Sequence, residues 1–446
     1  MLRKTILFCF ALSSAWIGLS AQSNEGILYE DGGDKTKPLI DTLTYEMRAG
    51  LPMAASKIYF SDRKFTWSGF GEVNYTHFDG PKDRTSEDLE LYNTNLYRFV
   101  SYLAYKPTSW LILYGEVFAE FFQDKNLETD FEYFIEAFAD VLIHESFNVR
   151  VGTHQVQIGY VNNNDEPIQF YSVNRPEVER IIIPSQWIDL GVMTYGSISK
   201  DLNYTFSVYQ GLDPRAYNGG TWIRRGRDEE FRGAFNSAIL NSQLEYSGLK
   251  NTTLNLSGLW TRARDTEGAS PVRSDTWLVS SFVRNEWKNW TFMALGSYGN
   301  MANTTGIYDL TRMSDPEGLP ADGQVMGSSV YGYYAEVGYD ILSLFGKNKD
   351  KNSGNRKGGR FYRPDEVKLP VFVRYERLDT HASVDSALEG LPRFRSDLTA
   401  LTVGVNFNPR RNIVFKTNYQ FRNNSEAMPN GEFEGNRFEV GMGFIF

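Results

Sequence analysis

Apolar and polar residues alternate with a period of two along most of this chain, which places successive side chains on opposite faces of a strand. In Phe65–Phe78, Phe65, Trp67, Val73 and Tyr75 share one face, with Thr66, Ser68, Glu72 and Asn74 on the other. The last residues repeat the pattern, setting Phe438, Val440, Met442, Phe444 and Phe446 against Glu439, Gly441, Gly443 and Ile445. Residues 131–143 set Phe131, Tyr133, Ile135, Ala137 and Val141 against Glu132, Glu136 and Asp140. The alternation recurs at 96–105, 110–121, 147–152, 189–198, 203–211, 238–247, 252–263, 276–287, 291–299, 329–342, 369–378, 396–408 and 413–422, which gives about sixteen strands.

The connections take turns in length. Lys106–Ser109, His144–Ser146, Ser199–Leu202, Gly248–Asn251, Lys288-Asn289 and Pro409–Asn412 are short and rich in turn residues. Asp79–Glu90, Asp213–Phe235 and Asn300–Ser328 are longer. A single terminal strand could belong to the edge of a soluble sandwich, but regular alternation of connection length along the chain is what a barrel requires. Closure also removes the unpaired edges that open sheets must protect. Acidic residues on one face cannot meet lipid, where a midplane charge costs about 2–4 kcal/mol. The pattern therefore predicts an all-β fold, a closed antiparallel transmembrane β-barrel of about sixteen strands. Short turns are expected on the periplasmic side, long loops outside, and one loop folded into the lumen.

Gly346–Glu366 breaks the rule, being long where a short turn is due. It carries Lys347, Lys349, Lys351, Arg356, Lys357, Arg360 and Arg363. It reads as a solvated loop, with a basic vestibule that attracts anions as the functional alternative. The segment from His154 to Trp187 is the longest irregular stretch between strands, and its apolar runs need a surface to fold against, which points to the barrel wall or lumen.

Ahead of the strands, Arg3 and Lys4 precede an apolar run from Ile6 to Leu19 and then Ser20-Ala21-Gln22. That is the layout of a cleavable signal peptide, 1–21. Residues 22–64 show no alternation and read as an N-terminal periplasmic strap, with a short helix over Leu39–Met53; the barrel follows at 65–446. Asp and Glu number 55 against 46 Lys and Arg, and the signal removes only positive charge. An acidic chain argues against nucleic acid as a partner. The single cysteine, Cys9, lies in the signal, so disulfides, thiolate metal sites and cysteine nucleophiles are excluded. Mean hydropathy of −0.41 and the lack of a later apolar run exclude a helical membrane protein. No cofactor fingerprint or metal-ligand spacing stands out.

The terminal phenylalanine after alternating aromatics resembles the C-terminal signature of Gram-negative outer-membrane barrels. Asn174-Arg175-Pro176-Glu177, Ile183-Pro184-Ser185-Gln186-Trp187 and Leu190-Gly191-Val192 resemble the phosphate-selective porin O/P family. So do Gly332-Tyr333-Tyr334, Phe372-Val373-Arg374-Tyr375-Glu376 and Leu401-Thr402-Val403-Gly404-Val405-Asn406-Phe407. The resemblance implies a sixteen-stranded, often trimeric barrel in the outer membrane, in contact with lipid and lipopolysaccharide, with a loop folded into the pore. It also implies phosphate selectivity from an arginine ladder and a lysine cluster, which cannot be carried over position by position.

Alternation assigns Arg98, Arg150, Arg284, Arg374 and Lys416 to the lumen as its basic residues. The acidic set is Glu72, Glu116, Glu120, Glu132, Glu136, Asp140, Glu245, Glu286, Glu336, Glu376 and Glu439. An acid-heavy wall favours cations, whereas Arg175 and Arg180 on the infolded loop, with Asp165 and Glu166 beside them, could set an anion filter. Many of these charges can also simply pair across strands. Three functions compete. The first is a passive porin for small hydrophilic solutes or ions, and the second a plugged structural or adhesive barrel. The third is a barrel hydrolase built on His77 with Asp79 or His381 with Asp379, for which no complete constellation of base, orienter and nucleophile is apparent.

Overall fold

The computed structural model describes residues 43, 45–79, 95–123, 129–184, 186–227, 237–265, 272–314, 323–345, 366–425 and 435–446. Residues Glu46–Ile445 form one compact unit. Phe446 groups with Met1–Tyr45 in a second, of which Leu43, Tyr45 and Phe446 are described. The proposed signal and most of the basic 346–366 connection lie outside the described residues.

The strands are β1 (Phe65–Asp79), β2 (Asn95–Thr108), β3 (Leu111–Gln123) and β4 (Thr129–His144), then β5 (Phe147–Gln155), β6 (Ile188–Ser199), β7 (Leu202–Gln210) and β8 (Ala238–Leu249). They continue as β9 (Thr252–Asp265), β10 (Val272–Trp287), β11 (Trp290–Met301) and β12 (Ser329–Asp340). The last four are β13 (Pro370–Ser383), β14 (Asp397–Arg410), β15 (Ile413–Asn424) and β16 (Asn436–Ile445). Each pairs with its sequence neighbours, and β16 pairs antiparallel with β1 from Phe70 opposite Ile445 to Asp79 opposite Asn436. The result is a closed antiparallel transmembrane β-barrel of sixteen strands. Closure satisfies every strand's ladder internally, as lipid demands.

The outward face is apolar and exposed: Val73, Phe99, Leu103, Val117, Phe206, Leu256, Val373 and Val440 are among its members. Trp67, Trp110, Trp287 and Trp290 sit on this face near the short-turn end, and Tyr75, Tyr97, Trp277 and Tyr298 toward the other. Amphipathic rings at two levels are what two membrane interfaces select.

The inside is not a uniform polar wall. On β8–β12 the inward positions include Ile239, Leu259, Leu278, Phe282, Leu295 and Val330, all buried. Against them packs the segment between β5 and β6, through Ile158, Val178, Ile182, Ile183 and Trp187. The barrel thus holds an apolar core on one side of its lumen. Residues 39–42 and 44 of the short helix expected over Leu39–Met53 lie outside the described residues, and the helical turn that the structure describes falls later, at Ala55–Phe60. Gly50 with φ of +73° and Pro52 interrupt the earlier stretch, and residues 45–53 are coil and turn.

Candidate functional site

The infolded segment leaves β5 at Gln155 and rejoins β6 at Ile188. Val156 N–H donates to the Trp187 carbonyl at 2.8 Å and closes its base. Asn162 ties the same base from within: its amide nitrogen donates to Val156 O at 2.5 Å, and its oxygen accepts from Trp187 N–H at 2.8 Å. A five-residue helix, α1 (Glu177–Ile181), begins after Pro176. Glu179 folds back from it to accept from the Tyr160 and Val161 N–H groups at 2.7 and 2.6 Å, and from the Tyr334 hydroxyl at 2.7 Å. Two inward glycines make room for the segment. A Cβ on Gly332 would stand 2.8 Å from Val178 Cγ1, and one on Gly443 would stand 2.3 Å from Pro167 Cβ.

The next stretch of the segment is strung along β14–β16. Val173 N–H donates to Asn418 at 2.8 Å, and Asn174 donates to Glu439 at 2.6 Å. Lys416 Nζ donates to Ser172 O at 3.0 Å, lying 3.9 Å from the centre of the Phe170 ring. With this many fixed contacts the segment is a built part of the interior.

The side chains of Arg98, Arg150, Arg374 and Lys416 point inward and are buried, and Arg284 points inward near the short-turn mouth. Glu72, Glu116, Glu120, Glu136, Asp140, Glu336, Glu376 and Glu439 are buried on the same face, with Glu245 part-buried and Glu286 exposed at the rim. The side chain of Glu132 lies outside the described residues. Three of the arginines meet a carboxylate directly opposite in register. Arg98 faces Glu72 and Glu120 and bonds both, the first at 3.0 Å. Arg150 faces Asp140 at 2.9 Å, where the Tyr59 and Tyr195 hydroxyls also donate. Arg374 faces Glu336 at 3.1 Å and also holds Glu376 at 2.6 Å and the Ser172 hydroxyl at 2.6 Å. Arg284 pairs with Glu286 at 2.6 Å.

On the infolded loop, Arg175, Arg180, Asp165 and Glu166 are all buried. Arg180 belongs to a cluster the sequence reading missed. Glu177 Oε1 receives Arg180 at 3.0 Å, Arg422 at 2.6 Å and Arg437 at 3.0 Å. Arg437 lies two residues before Glu439, and Arg422 two after Gln420, so extending the alternation by one step would have placed both inward. Burial alone would raise the Glu177 carboxyl, but the three guanidinium groups hold it well below the ordinary carboxylate range. Burial pushes the Asp165 carboxyl up to about 6 against Arg175 and Arg98, and pushes Glu166 up to about 8 against the hydrogen bond from Ala54 N–H.

Residues preceding β1 also lie against this inner wall. Ala54 N–H donates to Glu166 at 2.5 Å, Ser68 donates to Ala54 O at 2.6 Å, and Arg150 donates to Gly50 O at 3.2 Å. Leu51, Ala54, Ala55 and Ile58 are buried. A cavity of about 420 Å³ opens toward the short-turn end, lined by Tyr171, Arg284, Trp290, Glu336, Lys368 and Arg374 among others.

No protein-family model matches the chain. An uncharacterized protein of Aquifex aeolicus (strain VF5) is 24% identical over 378 residues, spanning 84% of this chain and 79% of its own. Among solved structures, the outer membrane channel DcaP of Acinetobacter baumannii is similar with a TM-score of 0.50 and 11% identity, over 86% of this chain and 97% of that one. The anion-selective porin from Comamonas acidovorans aligns over 86% and 99% at 12% identity with a TM-score of 0.49. At such identities the likeness to DcaP is one of fold.

Among the described residues no group of His, Cys, Asp and Glu is placed to hold a metal ion. The ring of His381 meets the Thr380 hydroxyl at 3.0 Å and the Val325 carbonyl at 2.8 Å. Asp379 accepts instead from the His381 backbone N–H and from Arg395. This histidine is tied into the wall, with its neighbouring carboxylate turned elsewhere. The Asp79 side chain, paired with His77 in the hydrolase alternative, lies outside the described residues.

Proposed function

We propose that the chain is an outer-membrane porin of a Gram-negative cell, carrying small hydrophilic solutes by passive diffusion. The observation that carries this reading is the sorting of side chains: an exposed apolar belt outside, and buried rows of Arg, Lys, Asp and Glu inside, with a loop fixed among them. A barrel with no aqueous task would have no use for charges aligned on its inner face. In this reading residues 1–21 are the signal peptide, 22–64 the periplasmic strap and 65–446 the barrel. It sits among lipid and lipopolysaccharide as a homotrimer and has no catalytic residues. Arg98, Arg150, Arg284, Arg374 and Lys416 line the pore with the inward acids, and Arg175 and Arg180 with Asp165 and Glu166 form its constriction. Anions such as phosphate would follow the wall of β13–β16, where Arg374, Lys416, Arg422 and Arg437 stand.

Purified protein in planar bilayers is expected to give stepwise conductance, with a reversal potential in a salt gradient that reports charge preference. A folded barrel that never conducts would favour the second reading, a stoppered barrel. That reading is supported by residues 49–60, which are hydrogen-bonded to the inner wall. Removing residues 46–60 distinguishes the two, since only a stoppered barrel begins to conduct on their loss.

A further inference from the structure

One patch of the inner wall does not pair its charges. Tyr102 on β2 lies directly opposite Glu116 on β3, and Glu116 lies directly opposite Glu136 on β4. Successive residues of this row therefore share a face at the cross-strand spacing of about 5 Å. Like charges set opposite each other are destabilising, so the sheet gains nothing from this arrangement by itself. All three side chains are buried. The infolded loop brings two more buried carboxylates to the row, Asp165 and Glu166, both close enough to act electrostatically on Glu116.

Several polar atoms here have no hydrogen-bond partner. They are the hydroxyls of Tyr102 and Tyr114, Glu136 Oε1, Asp165 Oδ1 and Glu166 Oε2. Buried polar atoms are normally satisfied, and a group of them in one place marks where a ligand or water belongs. Glu166 shows which chemistry the patch accepts, since its other oxygen takes an N–H, that of Ala54, at 2.5 Å. The neighbouring row is aromatic: Tyr114 stacks on Phe138 with ring centres 4.4 Å apart, and Tyr102 lies 5.9 Å from Tyr114. The nearest cations do not fill the gap. Arg98 is held by Glu72 and Glu120 two inward rows away, beyond Val100 and Phe118, and acts on Glu116 electrostatically from there; Arg150 is held by Asp140. Arg98 and Arg175 act on Asp165 at the edge of the patch.

We propose that Tyr102, Glu116 and Glu136, roofed by Asp165 and Glu166, form a binding site for the primary ammonium group of a small solute. An ammonium carries three N–H donors and a compact charge, which suits several carboxylate oxygens that lack donors. Aromatic faces beside the carboxylates add a cation–π attraction for the alkyl-bound charge. A bare metal ion suits the patch less well, because no carboxylate group among the described residues is spaced to ligate one. The segment 46–64 covers this wall, with its turn Ala55–Phe60 packed on β1 and β2, so the site is reached past that segment. The inference goes beyond the porin reading, because binding does not depend on whether the barrel conducts.

The test is calorimetric titration of the full-length protein, folded in detergent, with n-propylammonium chloride, sodium chloride and 1-propanol. Saturable binding of propylammonium alone is expected, weakened by roughly tenfold or more in Glu136→Gln, since a charge-assisted hydrogen bond is lost. Tyr102→Phe, which removes only a hydroxyl, should weaken binding by a smaller factor and leave the fold unchanged. Glu389→Gln, an exposed acid between β13 and β14, should bind as the parent does. Heat-modifiability on gels shows whether each variant is a closed barrel, and Tyr102→Phe carries the test if Glu136→Gln is not. Equal binding of sodium or propanol, no binding, or an affinity indifferent to both variants overturns the proposal. Bilayer conductance is recorded separately, so a silent barrel that binds propylammonium, or a conducting one that does not, assigns the failure to the correct idea.

Discussion

The two charged walls of the lumen handle their carboxylates in opposite ways. On β12–β16 acids meet cations in direct ion pairs: Arg374 sits between Glu336 and Glu376, and Glu177 takes three guanidinium groups. On β2–β4 the pairing lapses two inward rows away from Arg98, leaving Glu116 against Glu136 with two loop carboxylates above them. The first arrangement is a structural clamp, since each charge removed would strand its partner. The second carries no such internal reward, and structure that gains nothing for itself points to something outside the chain. Where the infolded segment touches the basic wall it is anchored, and where it faces the acidic wall it presents unsatisfied oxygens.

Three measurements press on this contrast. Arg374→Met strands Glu336 and Glu376 in a buried place and should cost about 3–5 kcal/mol in urea unfolding of the barrel. Glu116→Gln on the opposite wall should leave the unfolding midpoint unchanged or raise it. If the two variants unfold alike, the walls do not differ as described. Gly332→Val fills the seat of Val178 on the infolded segment. A Cβ already falls 2.8 Å from that residue, so overpacking of about 1–3 kcal/mol is expected. The same change at Gly296, beside which nothing lies within 4 Å of a Cβ, should be tolerated.

A further effect is in pH. Glu166 is raised from an ordinary 4.5 to about 8 in the folded chain, so the folded state holds a proton that the unfolded state gives up between those values. Its contribution to stability is fully present below pH 4.5 and is lost as pH rises toward 8, with a slope no steeper than about 1.4 kcal/mol per pH unit. Glu166→Gln should flatten that slope. A slope that persists unchanged in the variant would assign it to other groups.

The strands and their closure were legible because lipid imposes one rule on every outward position: Phe99, Leu103, Val373 and Val440 all alternate with inward polar groups. The same rule found the inward faces of Arg98, Arg150, Arg374 and Lys416. It failed where a second layer inside the barrel changed what an inward position had to be. Ile239, Leu278, Leu295 and Val330 are apolar on the lumen side because the infolded segment covers them, and nothing local in β8–β12 announces a cover supplied from residues 156–187. The inward glycines Gly332 and Gly443 are the seats of Val178 and Pro167, which alternation by itself does not announce. The burial of residues 49–60 left no periodic trace, since a segment held mainly by hydrogen bonds to its backbone needs no particular side-chain pattern.

The seam between β1 and β16 also constrains the order in which this chain can assemble. Phe70 meets Ile445, so the barrel shuts only when nearly the whole chain has been gathered, a contact of very high sequence separation and large loop entropy. The infolded segment bonds Asn418 on β15 and seats Pro167 against Gly443 on β16, yet it is tethered far upstream between β5 and β6. One closed lumen thus joins three parts of the sequence that lie far apart, the segment after β5 and the two ends of the barrel, and the native contacts of each depend on the other two.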